Sequence, residues 1–322
     1  GLGWTYASRA SQVIIEDLLS DVIIGGDLLA ANATHELMVR ACRNMGRAGV
    51  VSCAISAVDI ALWDCKARHM GVSLADLLGR CTDQAAIYAS GGFTTYSDDL
   101  TRDQLELWVG EWGIPRVKIK IGEAWGTRPE RDIARTVMAR EVVGNDVELF
   151  VDANGGYSRK HAVRIGQELT DAAGVTWFEE PVSSDDLAGL RQLRDVLDMD
   201  VTAGEYGYDE PYFARMLAAE AVDCLQIDVT RCGGYTTWLR AAAVARAQGV
   251  EVSAHCAPNL HAHVGVAVPH LRHIEYFHDH HRIETMLFDG ALDPRGGFLA
   301  PPVDVLRHGM SLKETDAAAY RR

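Results

Sequence analysis

The chain has 322 residues, 48% of them hydrophobic and 24% charged, a composition that builds a buried core and excludes a mostly disordered protein. Its formal charge of −14 argues against a phosphate-binding surface, so nucleic acid is not an expected partner. No run approaches the roughly 18 apolar residues of a membrane span, and seven scattered cysteines without a C-x-x-C read as reduced thiols of a cytoplasmic protein.

The chain opens Gly1-Leu2-Gly3-Trp4, without an initiator Met or a signal-peptide pattern, and is expected to lack its natural beginning. Residues 1–85 read as helical. Val13, Ile14, Ile15, Leu18, Leu19 and Ile23 recur at helical spacing, and the Ala-rich apolar run 54–63 is long enough for a buried helix. From about residue 86 short, β-branched runs take over, at 86–90, 117–121, 148–151, 176–178, 201–203, 224–227, 251–254 and 273–277. Helical patterns lie between them at 131–142, 160–170, 186–197, 211–219 and 236–248. Eight strands with intervening helices predict a closed parallel α/β barrel over residues 86–281. The rival, a doubly wound sheet, would carry a glycine-rich phosphate loop after its first strand, and none is found. After about residue 282 the pattern weakens into a Gly/Pro-rich tail, 282–322.

In such a barrel the catalytic groups sit at the C-terminal ends of strands. Taken in order, the second strand carries Lys118 and Lys120, the third ends in Asp152, the fourth in Glu179-Glu180, the fifth in Glu205, the sixth in Asp228 and the seventh in His255, while the eighth carries Glu275. From Asp152 onward the steps are 27, 26, 23, 27 and 20 residues, each about one strand–helix unit, so the groups form a ring around one mouth. Asp152, Glu179 and Glu205 on consecutive strands suggest a divalent cation with oxygen ligands, for which Mg²⁺ is suited. Pro181 ends the fourth strand and leaves Glu179 and Glu180 at the rim. Lys118 and Lys120 share one side of their strand, opposite Val117, Ile119 and Ile121, and therefore point into the barrel, where carboxylates and an anionic substrate would pair them. Asp228, one unit before His255, is placed to hold the imidazole as a general acid/base. A protonated Glu275 could donate to a developing oxyanion. The ring suits abstraction of a proton α to a carboxylate, with Lys120 on one side of the substrate and His255 on the other.

At these residues the sequence resembles the enolase superfamily and, within it, the mandelate racemase subgroup. The matching motifs are Val117-Lys118-Ile119-Lys120-Ile121-Gly122, Val151-Asp152-Ala153-Asn154, Phe178-Glu179-Glu180-Pro181, Ala203-Gly204-Glu205, Gln226-Ile227-Asp228 with Arg231-Cys232-Gly233-Gly234, Ser253-Ala254-His255 and His273-Ile274-Glu275. The early run from Ala54 to Asp64 is similar to that family's capping-domain helix. The resemblance implies a modified (β/α)7β TIM barrel with an α+β cap made from residues 1–85 and 282–322, the cap's first strands and a substrate-touching loop preceding Gly1. It also implies one Mg²⁺ on Asp152, Glu179 and Glu205, opposed bases at Lys120 and the His255–Asp228 dyad, and Glu275 as the electrophilic partner. Lys118 neutralises the substrate carboxylate, and Asn154 and Glu180 are expected to face the substrate. A homo-oligomer is expected by the same analogy.

The implied activity is dehydration of a sugar acid. The alternative is racemisation or epimerisation of a 2-hydroxy acid, and a more distant one a catalytically silent barrel used for binding. Asp228 stands where cycloisomerases and dipeptide epimerases usually carry a lysine. The cluster His278-Asp279-His280-His281 is read as a loop after the last strand, and Asn259, His261, Trp125, Tyr157, Tyr206 and Tyr208 are further candidates for the pocket wall.

Overall fold

Eight parallel strands follow in chain order: β1 (Ala85–Gly91), β2 (Arg116–Lys120), β3 (Glu148–Asp152), β4 (Val175–Glu179), β5 (Asp200–Ala203), β6 (Cys224–Ile227), β7 (Glu251–Ala254) and β8 (Leu271–Phe277). The computed structural model describes residues 1–321. Each strand pairs with the next, and β8 pairs back to β1 with Glu275 opposite Tyr88, which closes the sheet into a barrel. All eight expected strands are present. The five expected helices are also found, as Pro129–Val143, Arg159–Ala173, Leu187–Val196, Glu210–Ala218 and Gly234–Ala247.

Among the described residues, three further helices of eight or more residues were not foreseen. Asp98–Glu106 is too polar to show an apolar stripe, yet Ser97 caps it by accepting from Leu100 N at 3.2 Å. Pro258–Gly265 is buried at every residue and so shows no amphipathic period. His278–Leu287 corrects the reading of the histidine cluster as a loop. His280 Nδ1 accepts from Ala257 N at 3.0 Å and its ring stacks on Tyr6, while His281 Nδ1 lies 2.6 Å from Tyr276 Oη. These histidines are packing elements.

Alternation along the strands separates two interiors. Val117, Ile119, Leu149, Val151, Phe178, Val201 and Ile227 face outward into the main apolar cluster beneath the helices. Tyr88, Phe150, Trp177 and Cys224 face inward and plug the barrel. The polar ring stands above this plug.

Residues 10–23 form a helix interrupted by a π-turn at Ile15–Leu19. With Ala31–Ala41 and Val50–Met70 it encloses a separate small core of Leu19, Met38, Cys42, Val51, Ala54 and Ile55. Asp59 fastens this layer to the barrel. Its carboxylate accepts from Thr236 N at 3.0 Å and Thr236 Oγ1 at 2.7 Å, at the start of Gly234–Ala247, where a negative charge suits the helix dipole. The tail returns to the same layer. Ser311–Leu312 pairs with Phe288–Asp289, and His308 N donates to Asp64 Oδ1 at 3.1 Å. Among the described residues no helix is long and apolar enough to cross a membrane, and all seven cysteines are unpaired.

Candidate active site

The barrel register brings the ring together. Lys120, Asp152 and Glu179 are direct neighbours across β2, β3 and β4. Glu205 follows β5 through Gly204, whose φ of +137° and closeness to Gln226 O (2.1 Å from a would-be Cβ) demand glycine. Asp228 and His255 come directly after β6 and β7, and Glu275 lies inside β8. All eight catalytic and metal candidates named above meet at this mouth.

Lys118 is fully buried, binds Glu179, and lies 2.8 Å from Glu275 and 3.7 Å from Asp152. Lys120 Nζ donates to Asp152 Oδ2. Across the ring, His255 Nδ1 lies 2.8 Å from Asp228 Oδ2, and Nε2 lies 3.2 Å from Glu205 Oε2. Asp228 Oδ1 accepts from both Thr230 N and Thr230 Oγ1 at 2.7 Å, which fixes the carboxylate that fixes the imidazole.

Burial alone would discharge Lys118 and Lys120, but Glu179 and Glu275 hold the first, and Asp152 the second, above the usual lysine range. Burial also opposes a charge on His255, yet the facing Glu205 and Glu275 raise its pKa. Cys256 beside it stays a neutral thiol, because burial pushes it up. Glu179 is pushed up to about 8 by burial and by Asp152. Glu180 is raised as well, by burial and then by the like charge of Glu205. Glu275 behaves differently from the donor foreseen in the sequence. Against its burial, Lys118 and His255 hold it well below the carboxylate range, and it accepts from Ser90 Oγ at 2.6 Å and Cys256 N at 3.0 Å.

Buried carboxyls outnumber the permanent cations here: Asp152, Glu179, Glu180, Glu205, Asp228 and Glu275 are all buried, against Lys118, Lys120 and Arg231. The difference is made up either by protons, as the raised pKa values of Glu179, Glu180 and His255 express, or by a bound cation that takes their place. Glu179 Oε1 and Glu205 Oε2 are buried without a hydrogen-bond partner, the second because His255 lies off the hydrogen-bond direction. Glu179, Glu205 and His255 offer atoms within 4.8 Å of one another. Asp152 falls outside that tightest group, its Oδ2 engaged by Lys120. His255 engages Asp228 through Nδ1, and its raised pKa keeps a proton on Nε2, so the free donors are carboxylate oxygens, the set that a hard dication such as Mg²⁺ takes.

A cavity of about 440 Å³ opens beside Lys120, walled by Phe93, Trp125, Asn154 and Phe277. Asn154 lines it from a left-handed turn (φ 44°) capped by Asp152 Oδ1. Glu180 is 1% exposed, with one oxygen unpartnered. Asn259 and His261 do not face the site: Asn259 binds Glu284 and Leu292 N, and His261 binds Val229 N and Cys256 O. Tyr157 is likewise spent on Asp132. Two contributors were given no role in the sequence reading, although Arg231 stands in one of its motifs. Arg231 lies 3.4 Å from both Glu205 and Asp228, and its place three residues after Asp228 was the available signal. Ser90 escaped because β1 carries no Asp, Glu, Lys or His to draw attention to it.

The profile described as "Enolase C-terminal domain-like" matches residues 101–314, and that of the mandelate racemase / muconate lactonizing enzyme N-terminal domain matches residues 1–79. The chain is 31% identical over 301 residues to the L-talarate/galactarate dehydratase of Salmonella typhimurium, covering 92% of this chain and 73% of the relative. Two further curated relatives are matched over 66% and 65% of their own length. A mandelate racemase/muconate lactonizing enzyme-like protein from Rubrobacter xylanophilus superposes with a TM-score of 0.95 at 47% identity, over 99% of this chain and 88% of that one. L-talarate dehydratase from Polaromonas sp. JS666, complexed with Mg and L-glucarate, gives 0.89 at 29% identity over 99% and 87%. This chain belongs to the enolase superfamily, in its mandelate racemase/muconate lactonizing enzyme branch.

Proposed function

We propose that this chain is a Mg²⁺-dependent enzyme that abstracts the proton α to a carboxylate and, from a sugar acid, expels the β-hydroxyl as water. The observation that carries this reading is the pair of proton-carrying groups, Lys120 and His255, on opposite sides of one carboxylate cluster. Asp152, Glu179 and Glu205 hold the cation, which when bound supplies positive charge to the substrate carboxylate and to its enediolate. Lys118 adds a fixed ammonium beneath it. With a cation on Asp152 and Glu205 offsetting the carboxylates that keep protons on Lys120 and His255, one of these two residues is left free to take the α-proton while the C–H electron pair moves into the carboxylate. The pair then returns, the C–O bond at the β-carbon breaks, and the opposite residue protonates the departing hydroxide. The resulting enol becomes a 2-keto-3-deoxy acid. Asn154 and Glu180 face the substrate. Residues 1–85 and 282–322 act as the cap over the 86–281 barrel, a division supported by the Asp59–Thr236 and Asp64–His308 contacts. Seven unpaired cysteines support a reducing, cytoplasmic setting. The exposed Ile24 and Leu29 are what a homo-oligomer contact would cover.

The test is incubation of the protein and Mg²⁺ with aldonic and aldaric acids, scoring 2-keto acid. Absence of product and of α-proton exchange across the whole panel would overturn the reading. Racemisation is the second reading, favoured by the same two-sided pair when no β-hydroxyl is present. It shows as deuterium incorporation at Cα in D₂O without keto acid.

A further inference from the structure

Trp125 is 82% exposed, the largest exposure of any large apolar side chain in the chain. It stands on the loop after β2 and walls the cavity beside Lys120. Trp125 and Ala124 before it both hold left-handed backbone (φ 60° and 52°), a region that non-glycine residues rarely occupy and that persists only where the surroundings impose it.

The surroundings do impose it. Glu123 N donates to Asp132 Oδ1 at 3.2 Å, while Tyr157 Oη donates to Asp132 Oδ2 at 2.6 Å. Arg131 Nε lies 2.7 Å from Glu123 Oε2. On the far side, Gly126 packs so closely on the next loop that a Cβ would meet Gly156 O at 2.4 Å. The loop is thus clamped at both ends, and the residue it displays is an indole with no packing duty. Display of an exposed indole by a braced, strained turn is a binding arrangement rather than a folding one.

The cavity also constrains what is bound. Its walls include Phe93, Ile121, Trp125, Ala153 and Phe277, and its one ionisable lining residue is Lys120, whose ammonium is already paired with Asp152. A second carboxylate placed against these walls would need a cation that the lining does not leave free. An uncharged carbon chain presenting C–H bonds to aromatic faces would not.

We propose that Trp125 is a specificity-determining residue, the wall against which the uncharged distal end of a monocarboxylic acid packs, so that the site prefers monoacids to the corresponding diacids. This rests on the acid-substrate reading above: the carboxylate lies at the Asp152, Glu179 and Glu205 end, and the distal end extends past Lys120 into the cavity.

The experiment measures α-proton exchange by NMR in D₂O with Mg²⁺, for pairs of aldonic and aldaric acids of matched configuration. It is run with the protein, Trp125→Ala and Trp125→Phe. The expected result is a higher kcat/KM for the monoacid of each exchanging pair. Trp125→Ala should raise the monoacid KM about tenfold, the worth of one aromatic contact, with a much smaller effect on kcat. Trp125→Phe should recover most of the loss, and the melting temperature should not move. Diacids exchanging as well as monoacids, or a monoacid KM indifferent to Trp125→Ala, would overturn the inference while leaving the ring chemistry standing. Absence of exchange with every acid would instead remove the acid-substrate reading, and the inference with it.

Discussion

His255 Nδ1 lies 2.8 Å from Asp228 Oδ2, and both groups are buried. Because Thr230 holds the other oxygen of Asp228, the imidazole has one orientation, with Nε2 aimed at Glu205 and the ring. Asp228→Asn presents Nδ1 with an amide that can donate, which favours the wrong tautomer and removes the charge that stabilises the imidazolium. Exchange through the His255 face should fall roughly 10²- to 10⁴-fold, the usual span for losing a positioned acid/base, with a smaller change in KM. Stereochemically resolved exchange in D₂O checks this. An unchanged rate would mean that His255 is not the group that moves the proton.

Lys118 offers a stability prediction. It is fully buried and is the ammonium shared by Glu179, Glu275 and, more distantly, Asp152. Lys118→Met keeps the unbranched stem of the side chain, one atom shorter, but leaves those carboxylates facing one another in a dry interior. Removing one partner of a buried ion pair costs about 3–5 kcal/mol, so the variant should unfold at markedly lower denaturant concentration. A midpoint within error of the parent would show that the ring is more hydrated than its burial suggests.

Much of this site was legible because two separate periods, the two-residue alternation of a strand and the strand–helix repeat of the barrel, both show in the sequence. Lys118 and Lys120 were placed inward by a spacing of two, and Asp152, Glu179, Glu205, Asp228 and His255 were placed at one mouth by steps of about one strand–helix unit. Both rules concern backbone geometry, which a sequence pattern carries. What remained hidden depends on which partner a side chain finds. Asn259 and His261 sit four and six residues after His255, yet their hydrogen bonds run to Glu284 and to the backbone N of Val229 rather than into the cavity. Glu275 was legible as a ring member, but its charge depends on Lys118 beneath it and His255 beside it. Pro258–Gly265 was missed because a helix buried on all sides has no apolar stripe to detect.

Glu179 supplies a buried oxygen without a hydrogen-bond partner, so Glu179→Gln removes a charged ligand and lessens the buried negative excess. Titration calorimetry should find Mg²⁺ binding weakened at least tenfold. In the parent, Mg²⁺ at 100 times its dissociation constant should add about 2.7 kcal/mol of stability, and a chelator should remove it. The variant should gain much less from the same concentration. Equal Mg²⁺-dependent stabilisation of both proteins would place the cation elsewhere.

The last prediction concerns Glu284, a fully buried carboxyl that ties the start of the chain to the barrel by accepting from Tyr6 Oη at 2.8 Å and from Asn259 Nδ2. Burial pushes its pKa up to about 7, against the pull of Asn259 and Tyr6. In the unfolded chain it returns to its ordinary value of 4.5. Between those values the native state binds the proton and the unfolded state does not, so stability falls as pH rises through that window and levels off above about 7. Glu284→Gln keeps a neutral polar group in the same place and does not titrate. Relative to the parent, the variant should therefore gain stability from pH 4.5 to pH 8, by on the order of 3 kcal/mol at most. Melting curves of both proteins across that range provide the check. Parallel pH profiles would show that Glu284 titrates normally and that its link to Tyr6 and Asn259 carries a charge at neutral pH.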